Sequence, residues 1–132
     1  QKAQDSAAKS LVRNAMTAIE SAYVDTREFD GITSAMLADI EPSIDWATKG
    51  SVASGAVTVY ATATAEADDD AVDVALLNDD EYEVGSVSLS DKIFGVRVNK
   101  TALTGTTGAV PGNTFYVTVT GAEEGATPEE GW

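Results

Sequence analysis

The hydrophobic period of this chain changes once along its length, and that change limits the folds open to it. In the first 25 residues apolar side chains recur three or four positions apart. One row is Ala8, Leu11, Ala15, Ala18 and Ala22, and a second is Val12, Met16, Ile19 and Tyr23. Adjoining rows at that spacing make one wide apolar stripe on a helix. No glycine or proline occurs before Gly31, and alanine, the best helix former, is frequent. A helix over residues 1–25 is predicted, roughly 37 Å long at the usual rise. Its stripe of Leu11, Val12, Ala15, Ile19, Ala22 and Tyr23 should face a core. Arg13, Asn14, Thr17, Glu20 and Ser21 should lie opposite.

Beyond residue 51 the period is two. Residues 56–64 alternate small or apolar side chains with Thr and Tyr, the composition of a strand. Residues 72–77 and 114–120 read as further strands, and 84–89 and 93–98 as a hairpin around Ser90-Asp91-Lys92. Between helix and strands, residues 33–40 suit a short helix with Thr33 or Ser34 as its cap and Pro42 as its stop. Residues 65–71, with the run Asp68-Asp69-Asp70, read as a loop, and Asn78-Asp79-Asp80-Glu81 as a turn. A Gly-rich loop is expected at 104–112. One domain results, with a helical stem (1–25), a connecting loop with a short helix (26–50), an antiparallel sheet (51–121) and a loose tail (122–132). The fold class is α+β, a long N-terminal helix packed on a four- to five-stranded antiparallel sheet.

Charge and missing residue types narrow the function. The 132 residues hold 22 acids against 8 cations, a net charge of −14. That sign opposes a nucleic-acid partner. Cysteine and histidine are both absent, which removes disulfides, thiolate and imidazole metal sites, and Ser-His-Asp catalysis. No spacing singles out a catalytic carboxylate pair, so no enzyme is expected. The charge is also uneven. Residues 1–27 hold four cations against three acids, a balance of +1, while the rest hold four against nineteen, a balance of −15. A near-neutral stem suits a packed setting, and an acidic body suits water. The helix has no start signal either. Gln1-Lys2-Ala3-Gln4 lacks a cap followed by acids, and Lys2 sits at the disfavoured end of the dipole. A longer segment is therefore expected ahead of Gln1.

Residues 1–15, with the continuation Ala18-Ile19-Glu20-Ser21-Ala22-Tyr23, resemble the second half of the long helix of type IV pilins and of their relatives, the type II secretion pseudopilins. Val57-Thr58-Val59-Tyr60-Ala61-Thr62-Ala63-Thr64 and Phe94-Gly95-Val96-Arg97-Val98 are similar to sheet strands of Gram-positive and actinobacterial pilins, in the same order. The family's apolar N-terminal half-helix is not in this sequence. Without cysteine, the chain is closest to the branch that lacks a C-terminal disulfide. The resemblance implies a pilin headgroup whose missing segment is anchored in the membrane before assembly and lies in the filament core afterwards. It implies that Lys2, Gln4, Asp5, Lys9 and Arg13 face neighbouring subunits. The partners would be further copies of the chain and the pilus assembly machinery, at the cell surface, in a filament serving adhesion or motility. A repeated contact of that kind is heterologous and leaves the filament open-ended. The alternatives are a secretion pseudopilin and, from a different class, a free-standing secreted adhesion or carbohydrate-binding β-domain.

Other constellations carry less. Asp68, Asp69, Asp70 and Asp73, with Asp79 and Asp80, are calcium candidates because that ion takes six to eight oxygens, yet none has EF-hand spacing. No other cofactor is expected. Asn99-Lys100-Thr101 is a glycosylation triplet that follows a predicted strand and so should be exposed. Trp46 is expected in the core.

Overall fold

The computed structural model describes residues 2–46, 52–54, 63–100, 112–119 and 127–129. Helix α1 spans Lys2–Thr26 without a break. Its apolar rows are buried as the period dictates, with Ala8, Leu11, Val12, Ala15, Ala18, Ile19 and Ala22 all under 9% exposed. Tyr23 is only half-buried, at the margin of that stripe. A 3-10 turn, Phe29–Gly31, and a second helix, α2 (Ser34–Ile40), follow. Thr33 caps α2, its hydroxyl accepting the Met36 amide at 3.3 Å. Trp46 is buried, and its indole N–H donates to the Glu41 carbonyl at 3.0 Å.

Six strands form one sheet in chain order: β1 (Val52–Ser54), β2 (Asp73–Asn78), β3 (Glu81–Val87), β4 (Lys92–Asn99), β5 (Gly112–Val119) and β6 (Thr127–Glu129). Strands β2 to β6 pair antiparallel, while β1 joins the edge parallel to β2. The fold is α+β, as the change of period predicts. Four details differ from the sequence reading. The parallel edge strand β1 is too short to show an alternation. Within the segment expected as loose tail, β6 pairs Phe115 with Glu129 and Val117 with Thr127. Only Asp79 and Asp80 turn between β2 and β3, because Asn78 and Glu81 already belong to the strands. Of the strand expected at 56–64, residues 56–62 lie outside the described residues. Ala63 and Thr64 are not in a strand; Ala63 is buried and Thr64 exposed.

The near face of the sheet, under α1, is apolar. Val74 and Leu76 on β2 lie opposite Val84 and Tyr82 on β3, which lie opposite Val96 and Val98 on β4. All six are 2% exposed or less and share one core with Leu11, Val12, Ile19, Phe29 and Leu37. Each fully buried side chain of that size contributes about 1.5–3 kcal/mol. Phe29 stacks on Tyr23 with ring centroids 4.2 Å apart and meets Tyr82 at 4.7 Å, which closes the lower end of the core.

The far face is buried as well, and it is charged. Glu81 and Glu83 are 0% and 1% exposed, and Arg97 bridges them, its Nε 2.9 Å from Glu81 Oε2 and 3.3 Å from Glu83 Oε2. On the same face the Asp73 carboxylate accepts the Thr64 and Ala65 amides at 2.8 and 3.0 Å. Gly85 permits this covering. A Cβ there would stand 3.3 Å from the Phe94 carbonyl oxygen and 3.7 Å from the Ala63 Cβ.

Candidate assembly surface

The exposed side of α1 is polar and small. Ser6, Ser10, Arg13, Thr17 and Ser21 are exposed, and Val24 is an apolar exception at 69%. Of the five residues expected to face neighbours, Gln4 and Arg13 lie on the exposed side. Nothing is described of the Lys2 side chain. Asp5 and Lys9 depart from the expectation, because both turn onto the chain's own sheet. Asp5 accepts the Ser88 hydroxyl at 2.7 Å and the Ser90 hydroxyl at 2.5 Å, and Lys92 Nζ lies 3.7 Å away. Burial tends to raise the Asp5 pKa, but the Ser90 and Ser88 hydrogen bonds and the charges of Lys92 and Lys9 outweigh it and leave the carboxyl below its ordinary value. Lys9 Nζ sits over the Phe94 ring, 5.4 Å from its centroid. The first turns of α1 are thus clamped to the β3–β4 hairpin.

Glu20, expected on the outward side, is half-buried and makes a second clamp near the helix's far end. It accepts from the Tyr82 hydroxyl at 3.4 Å and from Lys100 Nζ at 2.7 Å. Burial, then the Glu20 charge and hydrogen bond, push the Tyr82 phenol well above its ordinary pKa. Neither clamp was visible in the sequence, since Asp5 and Ser88 are 83 positions apart and Glu20 and Lys100 are 80 apart.

The calcium candidates divide differently from their order in the chain. Asp68 and Asp69 meet Glu66, and Asp79 meets Glu28 and Asp30; in each exposed group the carboxylate oxygens lie within 4.8 Å of one another. Asp70 and Asp80 belong to neither group, and Asp73 departs from the set altogether, since its carboxylate serves two backbone amides. Partial burial, then the hydrogen bond and charge of Asp79 and the charge of Glu28, raise the Asp30 pKa. Three carboxylates that bind through one oxygen each leave at least three positions of a calcium shell to other oxygens. The glycosylation triplet also departs from expectation. Asn99 is 2% exposed on the far face, out of reach of an enzyme that must seize its amide; Thr101 lies outside the described residues.

A trough follows one flank of α1. Its middle is a cavity of about 320 Å3 bordered by Ala7, Ser10 and Asn14 on the helix and by Ser43, Ile44 and Asp70 across from it. At Ala7 it adjoins a cavity of about 230 Å3 beside Ala3, Asp68 and Leu89. At Ser43, Ile44 and Asp70 it adjoins one of about 490 Å3 against Ala35 and Ala38 of α2.

No protein-family model, curated protein or solved structure matches the chain. Among the described residues, no helix is long and apolar enough to cross a membrane.

Proposed function

We propose that this chain is the head of a structural subunit that polymerises into an extracellular filament of the type IV pilus kind, used for attachment, twitching motility or contact with surfaces. The observation that carries this reading is the one-sided packing of α1. A 25-residue helix buries one stripe on its own sheet and leaves a continuous small, polar side outward. The separation of charge supports the same reading, with a near-neutral stem beside an acidic body. The partners on this reading are further copies of the chain and the machinery that assembles them.

The test is electron microscopy of filaments sheared from the cell surface, labelled with antibodies raised against residues 1–132. Label along the filament length is expected. Protein found only as a monomer in the culture medium would overturn the proposal in favour of a secreted adhesion or carbohydrate-binding domain.

A secretion pseudopilin is the second reading, and the carboxylate groups around Asp68 and Asp79 favour it. Stoichiometric calcium binding by calorimetry, lost in D68N or D79N, would move the assignment there.

A further inference from the structure

We propose that the first turns of α1, residues 2–7, form a latch that opens from the head while the rest of the helix stays packed, and that the Asp5 carboxylate holds it closed. The latch belongs to the folded chain itself and operates whether or not the chain polymerises.

Three observations set these turns apart from the helix that follows. First, they bury no apolar side chain. Ala3, Gln4, Ser6 and Ala7 are exposed and Asp5 is half-buried. Ala8 is the first buried member of the apolar stripe, and Leu11, Val12 and Ala15 continue it. The burial that seats α1 on its sheet therefore begins at Ala8. Second, one flank of the segment borders a cavity. About 230 Å3 lies between Ala3, Gln4 and Ala7 on the helix and Ala67, Asp68 and Leu89 beyond it. Close-packed neighbours, which would resist a movement, are missing on that side. Third, among the described residues, every side-chain tie from residues 3–7 to the head passes through Asp5. It accepts the Ser88 and Ser90 hydroxyls and lies 3.7 Å from Lys92 Nζ.

The seat for that carboxylate is already formed by the β3–β4 turn. The Ser90 amide and hydroxyl both donate to Ser88 Oγ, at 3.3 and 3.2 Å, and the Asp91 amide donates to the Ser88 carbonyl at 2.9 Å. A carboxylate that accepts two hydroxyls held in place makes a strong directional tie. Opening the latch breaks those bonds and exposes little apolar surface, so it takes less free energy than unfolding the core. Ala8 is then the pivot between the first turns and the head. In a filament this pivot lets the head tilt on its stem.

The test is native-state hydrogen exchange, read by NMR on the 132-residue chain at neutral pH in urea below the unfolding transition. In an α-helix the amides of Ser6, Ala7 and Ala8 bond to the carbonyls of residues 2–4, so they report the latch. The amides of Ile19 and Ala22 report the core. The wild-type latch amides should be protected, and their exchange should hardly change with urea. Exchange at Ile19 and Ala22 should rise steeply with urea, because global unfolding exposes far more surface. D5A should speed the latch amides about tenfold or more, as the loss of a charged hydrogen bond implies. S88A/S90A should do the same while leaving the Asp5 charge on the helix. Latch amides that share the urea dependence of Ile19, or that show no protection in wild type, overturn the proposal. Unchanged exchange at those amides in either variant overturns it as well.

Discussion

On β2 to β4 both faces of the sheet are largely buried, and they are held by different forces. The near face meets α1 through Val74, Leu76, Tyr82, Val84, Val96 and Val98, and non-directional burial suffices there. The far face buries Glu81, Glu83 and Asp73, and each acid needs a named partner in a fixed place. A hydrophobic face tolerates a change of shape at the cost of a cavity. A charged buried face tolerates the loss of a partner poorly, because the remaining charge has no water to turn to. The difference gives the two sides of the molecule distinct tasks. The near face seats the helix, and the far face fixes the register of β3 against β4 and, through Asp73, ties the 63–65 segment to β2.

The largest expected effect tests the far face. R97M leaves Glu81 and Glu83 buried beside each other and should cost about 3–5 kcal/mol in urea unfolding. The triple variant R97M/E81Q/E83Q removes the charges together and should recover most of that loss. An R97M cost below about 1 kcal/mol, the ordinary value for exposed ion pairs, would break the comparison. On the near face L76A should cost about 2–5 kcal/mol through transfer and cavity terms. Unlike R97M, it should not be rescued by neutralising any acid. D73A should cost about 1–3 kcal/mol, since it strands the Thr64 and Ala65 amides. Hydrogen exchange at those two amides should quicken first.

How much of this was legible in the sequence follows the same division. The near face was readable from alternation alone, because Val74 with Leu76, and Val96 with Val98, announce a buried side. The stripe of α1 was readable for the same reason. The far face was not. Glu81 reads as part of a turn, and Glu83 and Arg97 alternate with apolar residues, a pattern that reports polarity and says nothing of what lies above. Asp73 was expected as a calcium candidate because it follows an acidic run, and Asn99 as exposed because its triplet follows a predicted strand; neither pattern shows that the far face is covered. Strand β6 escaped notice because Pro128 interrupts its three residues. The trough depends on Asp70, Ser43 and Asn14 converging from three separate segments, which no local pattern records.

The smallest effects sharpen the picture at the helix ends. Arg27 closes α1 with φ at 61°, a conformation that glycine adopts freely. R27G should leave stability unchanged or raise it by less than about 1 kcal/mol in thermal unfolding. At the other end, the Asp5 carboxyl is held below its ordinary pKa in the folded chain, so it binds a proton less readily there than when unfolded. Its contribution is therefore fully present above the unfolded value and is lost as pH falls through the lowered folded value. The difference in melting temperature between wild type and D5N should be constant near pH 7 and close in acid. A gap that widened in acid would reverse the sign assigned to the clamp.

The central claim is that α1 works on both sides, one against its own sheet and one against its neighbours. A helical reconstruction of the native filament by cryo-electron microscopy tests it most directly. The expected map shows α1 of each subunit turned toward the filament axis, its outward side against neighbouring subunits and its sheet outward. A map in which subunits join edge to edge through β1 and β6, with the outward side of α1 facing solvent, would contradict it.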